Sequence, residues 1–296
     1  MIQRALIGAG IVVYSLDKAV SIALRRRPRV RIGEKLDKTG RVTQARQTLN
    51  VRDYDVDVRF IYYPGNFNHS MWRSQELSLM TRYKDLLSRP RLDFGCGDGS
   101  FASVLFDRVD YGIDNDLESL RVACQYGVYK QLACSDGASL PIKPQSIGSV
   151  FSNSVLEHVD KLQETIAELY NVLVPGGIFV FTVPVLNFAT HISRYFGQQE
   201  SDQINQRWYH RHMHPAEWWN GSVQKQGFEV RYIQSYQPDW FTLGYFALST
   251  RPFVLLHGLG LDKAKFYRRL AARMVRQSIT ETQEGGNILV IAQRPG

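Results

Sequence analysis

The stretch RLDFGCGDGSF, residues 91–101, sets apolar Leu92 and Phe94 in alternation with Arg91 and Asp93, then breaks into Gly95, Gly97 and Gly99. The alternation reads as a short strand. The glycines remove three side chains where a turn must be tight and a ligand must come close to the main chain. The continuation SFASVLFDRV has apolar residues at helical spacing (Phe101, Val104, Leu105), so a helix is expected to present its first amides and positive end to the turn. An anionic group suits that position. The spacing is G-x-G-x-G, and Ser100 stands where a dinucleotide-binding fingerprint would have its third glycine.

A second strand, within VDYGIDNDLESL, is expected to end at Asp114, nineteen positions after Gly95. A carboxylate so placed can accept hydrogen bonds from ribose hydroxyls. A third strand, YKQLAC, residues 129–134, leads to Asp136, which can meet an exocyclic amine. SVFSNSVLEHV reads as a fourth strand entering a polar turn at Asn153. In VLVPGGIFVFTVP, Pro175-Gly176-Gly177 is expected to stop a helix before an apolar strand over residues 178–183. Strands alternating with helices predict an α/β fold with a doubly wound parallel sheet.

Taken in order and spacing, LDFGCGDGSF, GIDND, SDGASLPI, NSVLEHV and LVPGGIFVFTVP resemble class I S-adenosylmethionine-dependent methyltransferases. Within that class the similarity is to the small-molecule branch (methyltransferase domain 11 type) typified by the ubiquinone and menaquinone biosynthesis enzymes, over residues 91–184. The resemblance implies a seven-stranded, mostly parallel Rossmann-like sheet whose last strand is antiparallel, and S-adenosylmethionine as cofactor. It further implies that Gly95, Cys96 and Gly97 shape the loop around the methionyl part, that Asp93 lies near the ammonium group, and that Asp114 and Asn115 serve the ribose. Asp136 and Gly137 would meet the adenine, and Asn153 follows the fourth strand. One departure stands out: the family usually has Phe-Asp before the fourth strand, where this chain has Ile147-Gly148.

The chain has 296 residues, enough for one substantial core, and a formal charge of +8. That charge is uneven. Residues 1–41 hold ten Lys/Arg against three acidic residues, and residues 262–276 hold six against one. Both stretches adjoin apolar runs. IQRALIGAGIVVYSLDKAVSIALRRRPRVR repeats apolar residues at helical spacing, but Asp17-Lys18 interrupts a run too short to span a bilayer or to serve as a signal peptide. This N-terminal helical extension and its counterpart FVLLHGLGLDKAKFYRRLAARMVR are candidate interfacial segments, with arginines near anionic headgroups; the alternative is packing on the domain or on another subunit. Cys96, Cys124 and Cys134 lack C-x-x-C spacing, which fits a reducing, cytoplasmic setting and encodes no metal site.

Residues 1–88 are therefore expected to form an extension: a basic helix, a polar connector over residues 33–57, an aromatic lid over residues 60–72 and a helix over residues 75–87. The lid candidates are Tyr62, Tyr63, Phe67, His69 and Trp72, with packing as the alternative for each. Residues 89–296 would form the catalytic domain, with insertions at 186–214 and 235–285, after strands 5 and 6, over the acceptor side. A helix is expected over residues 216–226, a sixth strand over 228–234 and the last over 286–293.

Methyl transfer from a sulfonium needs mainly positioning. If the acceptor is a hydroxyl, a base must take its proton, and histidine matches neutral pH. His158 is the first candidate, and His214 or His210 in YHRHMHP the next. The trio His210, His212 and His214 lacks a carboxylate partner and is read as a helix-entry turn, so no metal is expected. The expected partner is a small or lipid-like acceptor, methylated at oxygen, with peripheral membrane contact through the N-terminal helix. Nucleic acid is not expected, although basic ends keep an RNA methyltransferase open. A nicotinamide-dependent dehydrogenase and a noncatalytic cofactor-binding partner protein are the other readings; the oligomeric state is not legible.

Overall fold

The computed structural model describes residues 63 and 66–296, with the short antiparallel strands Thr48–Leu49 and Phe60–Ile61 before them. The expected basic N-terminal helix, most of the polar connector and Tyr62 lie outside the described residues. The chain divides into two compact units: Met1–Gln75 with Trp240–Ser278, and Glu76–Asp239 with Ile279–Gly296.

The second unit holds a seven-stranded sheet of β1 (Arg91–Phe94), β2 (Val109–Asp114), β3 (Tyr129–Cys134), β4 (Ile147–Asn153), β5 (Leu173–Pro184), β6 (Glu229–Tyr236) and β7 (Asn287–Gln293). Their order across the sheet is β3-β2-β1-β4-β5-β7-β6. The first five pair in parallel, and β7 is antiparallel to both neighbours. The chain starts at the middle with β1, works outward to β3, and returns to β4 on the other side. Between β1 and β4 the strand order therefore reverses, and a crevice opens at the carboxyl ends of such a pair. The glycine turn leaves β1 at that crevice.

Burial explains why these segments are strands and these faces are inside. Every residue of β4 except Asn153 and every residue of β7 except Gln293 is buried, as a central strand covered on both faces requires. The helix after β4, α4 (Leu162–Val172), places Leu162, Ile166 and Leu169 at the i, i+4, i+7 spacing of one face. Phe179, Phe181 and Trp219 fill the core beside them, each contributing on the order of 2–3 kcal/mol by burial.

Two boundaries differ from the sequence reading. Helix α4 stops at Val172, before the Pro-Gly-Gly segment. Strand β5 already begins at Leu173, opposite Ile147, and the register then jumps so that Ser149 faces Ile178. Pro175, Gly176 and Gly177 are thus an irregularity inside a strand. Second, α1 runs Phe67–Tyr83, so residues 67–72 of the aromatic segment are already helical. Phe67 and Met71, one turn apart, pack against Phe241, Ala271 and Val275 within the first unit, and that packing extends the helix toward the N-terminus. At Ile147-Gly148, where the resembled family usually has Phe-Asp, the backbone passes close: a Cβ on Gly148 would lie 2.9 Å from the Arg89 carbonyl oxygen.

The remaining helices are α2 (Ser100–Leu105), α3 (Leu117–Gln125), α5 (Leu186–Phe196), α6 (Gln198–Arg207) and α7 (Ala216–Lys225), then α8 (Asp239–Leu248), α9 (Arg251–Gly258) and α10 (Lys265–Ser278). The first insertion is thus the helix pair α5 and α6. The second is the end of β6 followed by α8, α9 and α10. In the first unit Phe67 stacks among His257 and Tyr267, and Trp72 meets Tyr245 edge-on, so both of these aromatic candidates serve packing.

Candidate active site

The turn after β1 alternates glycines with Cys96 and Asp98, and two of its glycines have distinct reasons to be glycine. Gly95 (φ +73°) and Gly97 (φ +52°) both take left-handed backbone. A Cβ on Gly95 would lie 2.3 Å from the Val155 side chain, so that glycine is needed for packing. A Cβ on Gly97 would meet no protein atom within 4 Å, so that glycine keeps open a space beside the main chain. The fold holds the turn by donating the Gly95 and Cys96 amides to the Ile113 carbonyl, at 2.8 and 2.9 Å.

Carboxylates converge on this turn. The Gly97 amide donates to Asp114 Oδ2 at 2.7 Å, bringing the glycine motif against the end of β2, and Asp114 Oδ1 accepts from the Asp116 amide at 2.9 Å. Asp93 is buried within β1 and accepts a hydrogen bond from the Tyr129 hydroxyl at 2.6 Å. Burial pushes the Asp93 carboxyl up to about 7; the Tyr129 hydroxyl opposes the shift and the negative charge of Asp114 adds to it. Burial also pushes the Cys96 thiol up, reinforced by Asp93, Asp114 and Asp98. Cys96 is therefore an inert buried thiol surrounded by negative charge. Asp98 Oδ1 accepts from the Ser100 amide at 3.0 Å, so the first amide of α2 is met by the protein's own carboxylate and not left for an anion.

This electrostatics decides between cofactor classes. A pyrophosphate would face three carboxylates at the glycine turn, whereas a cofactor carrying a sulfonium and an ammonium would be attracted. The residues present fit S-adenosylmethionine: an open space at Gly97, negative charge around it, and a second carboxylate at the adjoining strand end.

The remaining cofactor candidates share the same edge of the sheet. Asn115 and Asp136 are exposed beyond β2 and β3, whose last residues Asp114 and Cys134 are paired. Asp136 Oδ1 caps the Ala138 amide at 3.1 Å, and Gly137 lies buried against the Phe94 ring. Asn153 ends β4, but its amide is already engaged: it donates to Glu76 Oε2 at 2.8 Å and accepts from the Thr182 hydroxyl at 2.9 Å, while Ser154 Oγ donates to Glu76 Oε1 at 2.6 Å. Glu76 and Tyr129 were not found in the sequence, since each reaches its partner only through the fold. A cleft of about 540 Å³ opens at the carboxyl ends of β5 and β6, lined by Val185, Asn187, Pro215, Glu217, Ser235 and Thr282.

The histidines separate. His158 is partly exposed on the turn after β4, and His210 comes against it at 5.3 Å between ring centroids. Burial, helped by the charge of His158, pushes His210 down to about 3. His212 spends Nε2 on the Val159 carbonyl at 2.8 Å. His214 stacks on Trp218 at 3.6 Å, and burial lowers its basicity. The alternating trio is thus three different environments.

Residues 92–181 match the family described as "Methyltransferase domain". An uncharacterized methyltransferase of Mycobacterium ulcerans (strain Agy99) is 31% identical over 150 residues, 48% of this chain and 58% of the relative. A malonyl-[acyl-carrier protein] O-methyltransferase of Marinomonas sp. (strain MWYL1) is 28% identical over 125 residues, 39% of this chain and 46% of that one. The chain thus spans about half the length of these curated relatives. Among solved structures, phosphoethanolamine N-methyltransferase 2 of Haemonchus contortus in complex with S-adenosyl-L-methionine has a TM-score of 0.53 at 17% identity, covering 77% of this chain and 57% of that one. Sheet order, glycine turn and carboxylates agree with the family match: residues 92–181 match a methyltransferase domain, set in a sheet of the class I S-adenosylmethionine-dependent kind.

Proposed function

We propose that the chain transfers the methyl group of S-adenosylmethionine to oxygen of a small or lipid-like acceptor. The observation that supports it most is the set of carboxylates gathered around an open glycine turn at the crevice of the sheet. The cofactor, when bound, supplies a methyl group already activated by its sulfonium. In this reading Asp93 holds the ammonium group, the Gly95-Cys96-Gly97 main chain borders the methionyl part, and Asp114 with Asn115 binds the ribose. Asp136 and Gly137 border the adenine, and Asn153 supports the floor of the crevice. On the acceptor side His158 is the candidate to receive a hydroxyl proton, with His210 and His214 shaping the approach; at its lowered basicity His210 is a poor proton acceptor. The oxygen assignment draws on the name of the Marinomonas relative. Incubation with hydroxylated and amine acceptors should yield S-adenosylhomocysteine and a mass gain of one CH2 on a hydroxylated acceptor; exclusive labelling of amines would contradict the oxygen reading.

Asp93 gives this reading a pH signature. Its folded-state value lies above the ordinary carboxylate value, so its contribution to stability is fully present at low pH and is lost as pH rises through about 7. A cationic ligand favours the ionised form and displaces the proton. Cofactor affinity should therefore rise about tenfold per pH unit from about 5 to about 7 and then level off, with proton release seen by calorimetry in buffers of different ionisation heat. Asp93→Asn should flatten the profile; an unchanged profile in the variant would remove Asp93 from the site.

We further propose that the chain works in the cytoplasm at a membrane surface. Among the described residues no helix is long and apolar enough to cross a membrane. In the first unit, however, Leu255, Leu259, Phe266 and Leu270 are exposed, interleaved with exposed Lys263, Lys265, Arg269 and Arg273. Apolar side chains beside basic ones suit an anionic lipid interface. The double change Leu255→Asp and Phe266→Asp should lower co-sedimentation with anionic vesicles at least about tenfold, each lost insertion costing on the order of 1.5–3 kcal/mol. Equal co-sedimentation of variant and wild type would contradict the surface assignment.

A further inference from the structure

Beyond β4 the backbone makes a single 3-10 turn, Leu156–His158, and the segment after α6 returns to it: the amides of Arg211 and His212 donate to the Glu157 carbonyl at 2.8 and 3.1 Å. That pairing sets His210 against His158. One coordinating atom each from Glu157, His158 and His210 then lies within 4.8 Å of the other two.

Hydrogen bonds to each ring define which nitrogen is left to ligate. His158 Nδ1 lies 3.2 Å from the Tyr209 carbonyl, and a carbonyl only accepts, so Nδ1 carries the proton. His210 Nδ1 lies 2.8 Å from Asn205 Oδ1. The Asn205 amide nitrogen donates to the Ser201 carbonyl at 2.9 Å, which turns its oxygen to the ring and again makes Nδ1 the donor. In the neutral imidazoles both Nε2 atoms are then lone pairs, and His158 Nε2 sits 3.6 Å from Glu157 Oε1. An N–H clamped to an amide or carbonyl oxygen behind the ring is how proteins orient imidazole ligands and raise their donor strength. The Glu157 carboxylate is buried while His158 is 40% exposed, so a bound ion would have protein on one side and solvent on the other.

We propose that Glu157, His158 and His210 form a binding site for a divalent cation of the zinc class, with two imidazole nitrogens and one carboxylate oxygen as ligands and a further position open. Donors of this kind in this number are those of open zinc sites, and the atoms need only draw in to the roughly 3–3.5 Å separations that bonds of about 2.0–2.2 Å impose. Asn205 and the Tyr209 carbonyl position the rings. With a cation bound, His158 Nε2 is occupied, so the base role proposed above for His158 belongs to the ion-free protein.

The test uses full-length, tag-free protein stripped with a chelator and no S-adenosylmethionine, so its outcome is independent of the methyl-transfer reading. Zinc titration by calorimetry should give one site. Cobalt(II) should give visible d–d bands without a thiolate charge-transfer band, which separates this site from exposed Cys124 and Cys134. His158→Ala, on an exposed side chain, should weaken zinc at least about a hundredfold, and Asn205→Ala about 10- to 100-fold, with circular dichroism unchanged. No zinc binding, a thiolate band, or full affinity in His158→Ala would each overturn the proposal.

Discussion

Asp114→Ala is expected to lower the affinity for S-adenosylmethionine by a factor of about a hundred or more. Two charge-assisted hydrogen bonds to ribose hydroxyls are worth about 1.5–3 kcal/mol each, and both vanish with the carboxylate. The same carboxylate also holds the glycine turn through the Gly97 amide, at 2.7 Å, so its removal loosens the loop that the cofactor must find in place. Asp114→Asn retains an acceptor for the turn but not the charge, and should fall between wild type and alanine. Calorimetric titration reads both. Affinity within twofold of wild type in Asp114→Ala would remove the ribose assignment.

Gly95→Ala and Gly97→Ala should fail in opposite ways, although the two positions are neighbours in one motif. At Gly95 a methyl group would sit 2.3 Å from Val155 on left-handed backbone. Strain and overpacking together cost about 3 kcal/mol, which lowers the melting temperature by about 5–10 °C. Val155→Ala in the same chain should return part of that loss, a coupling expected only of touching residues. At Gly97 no protein atom lies within 4 Å, so the stability loss is confined to backbone strain of about 1–2 kcal/mol. The methyl group there enters the space assigned to the ligand, and cofactor affinity should fall at least about tenfold. Thermal melts and titrations of the two variants separate packing from binding; equal effects on both readouts would contradict the division of roles.

The strands that carry the site were legible because local chemistry marks their ends. Asp114 closes an apolar run, Cys134 precedes a polar Ser-Asp pair, and Asn153 ends a run of small and apolar residues; the observed strands finish at those positions. The start of α1 was not legible, because Phe67 and Met71 become helical through packing against Phe241 and Val275, about 170 to 205 residues away. Pro175-Gly176-Gly177 looked like a helix stop, but the register jump between β4 and β5 absorbs it.

The site follows the same rule. The glycine turn and Asp114 could be read from spacing, whereas the Tyr129 hydroxyl that holds Asp93 comes from β3, two strands across the sheet. In the sequence His210, His212 and His214 read together as a helix-entry turn, whereas the backbone pairing to Glu157 directs His210 to His158 and leaves the other two with Val159 and Trp218. Distances of fifty residues along the chain carry no local signal for such a meeting.

Calorimetric titration of the purified full-length chain with S-adenosylmethionine, and in parallel with a nicotinamide dinucleotide, tests the central assignment most directly. Saturable one-to-one binding of the sulfonium compound, with no heat from the dinucleotide, is predicted by the negative charge gathered at the glycine turn. Binding of the dinucleotide, or no binding of S-adenosylmethionine, would contradict it.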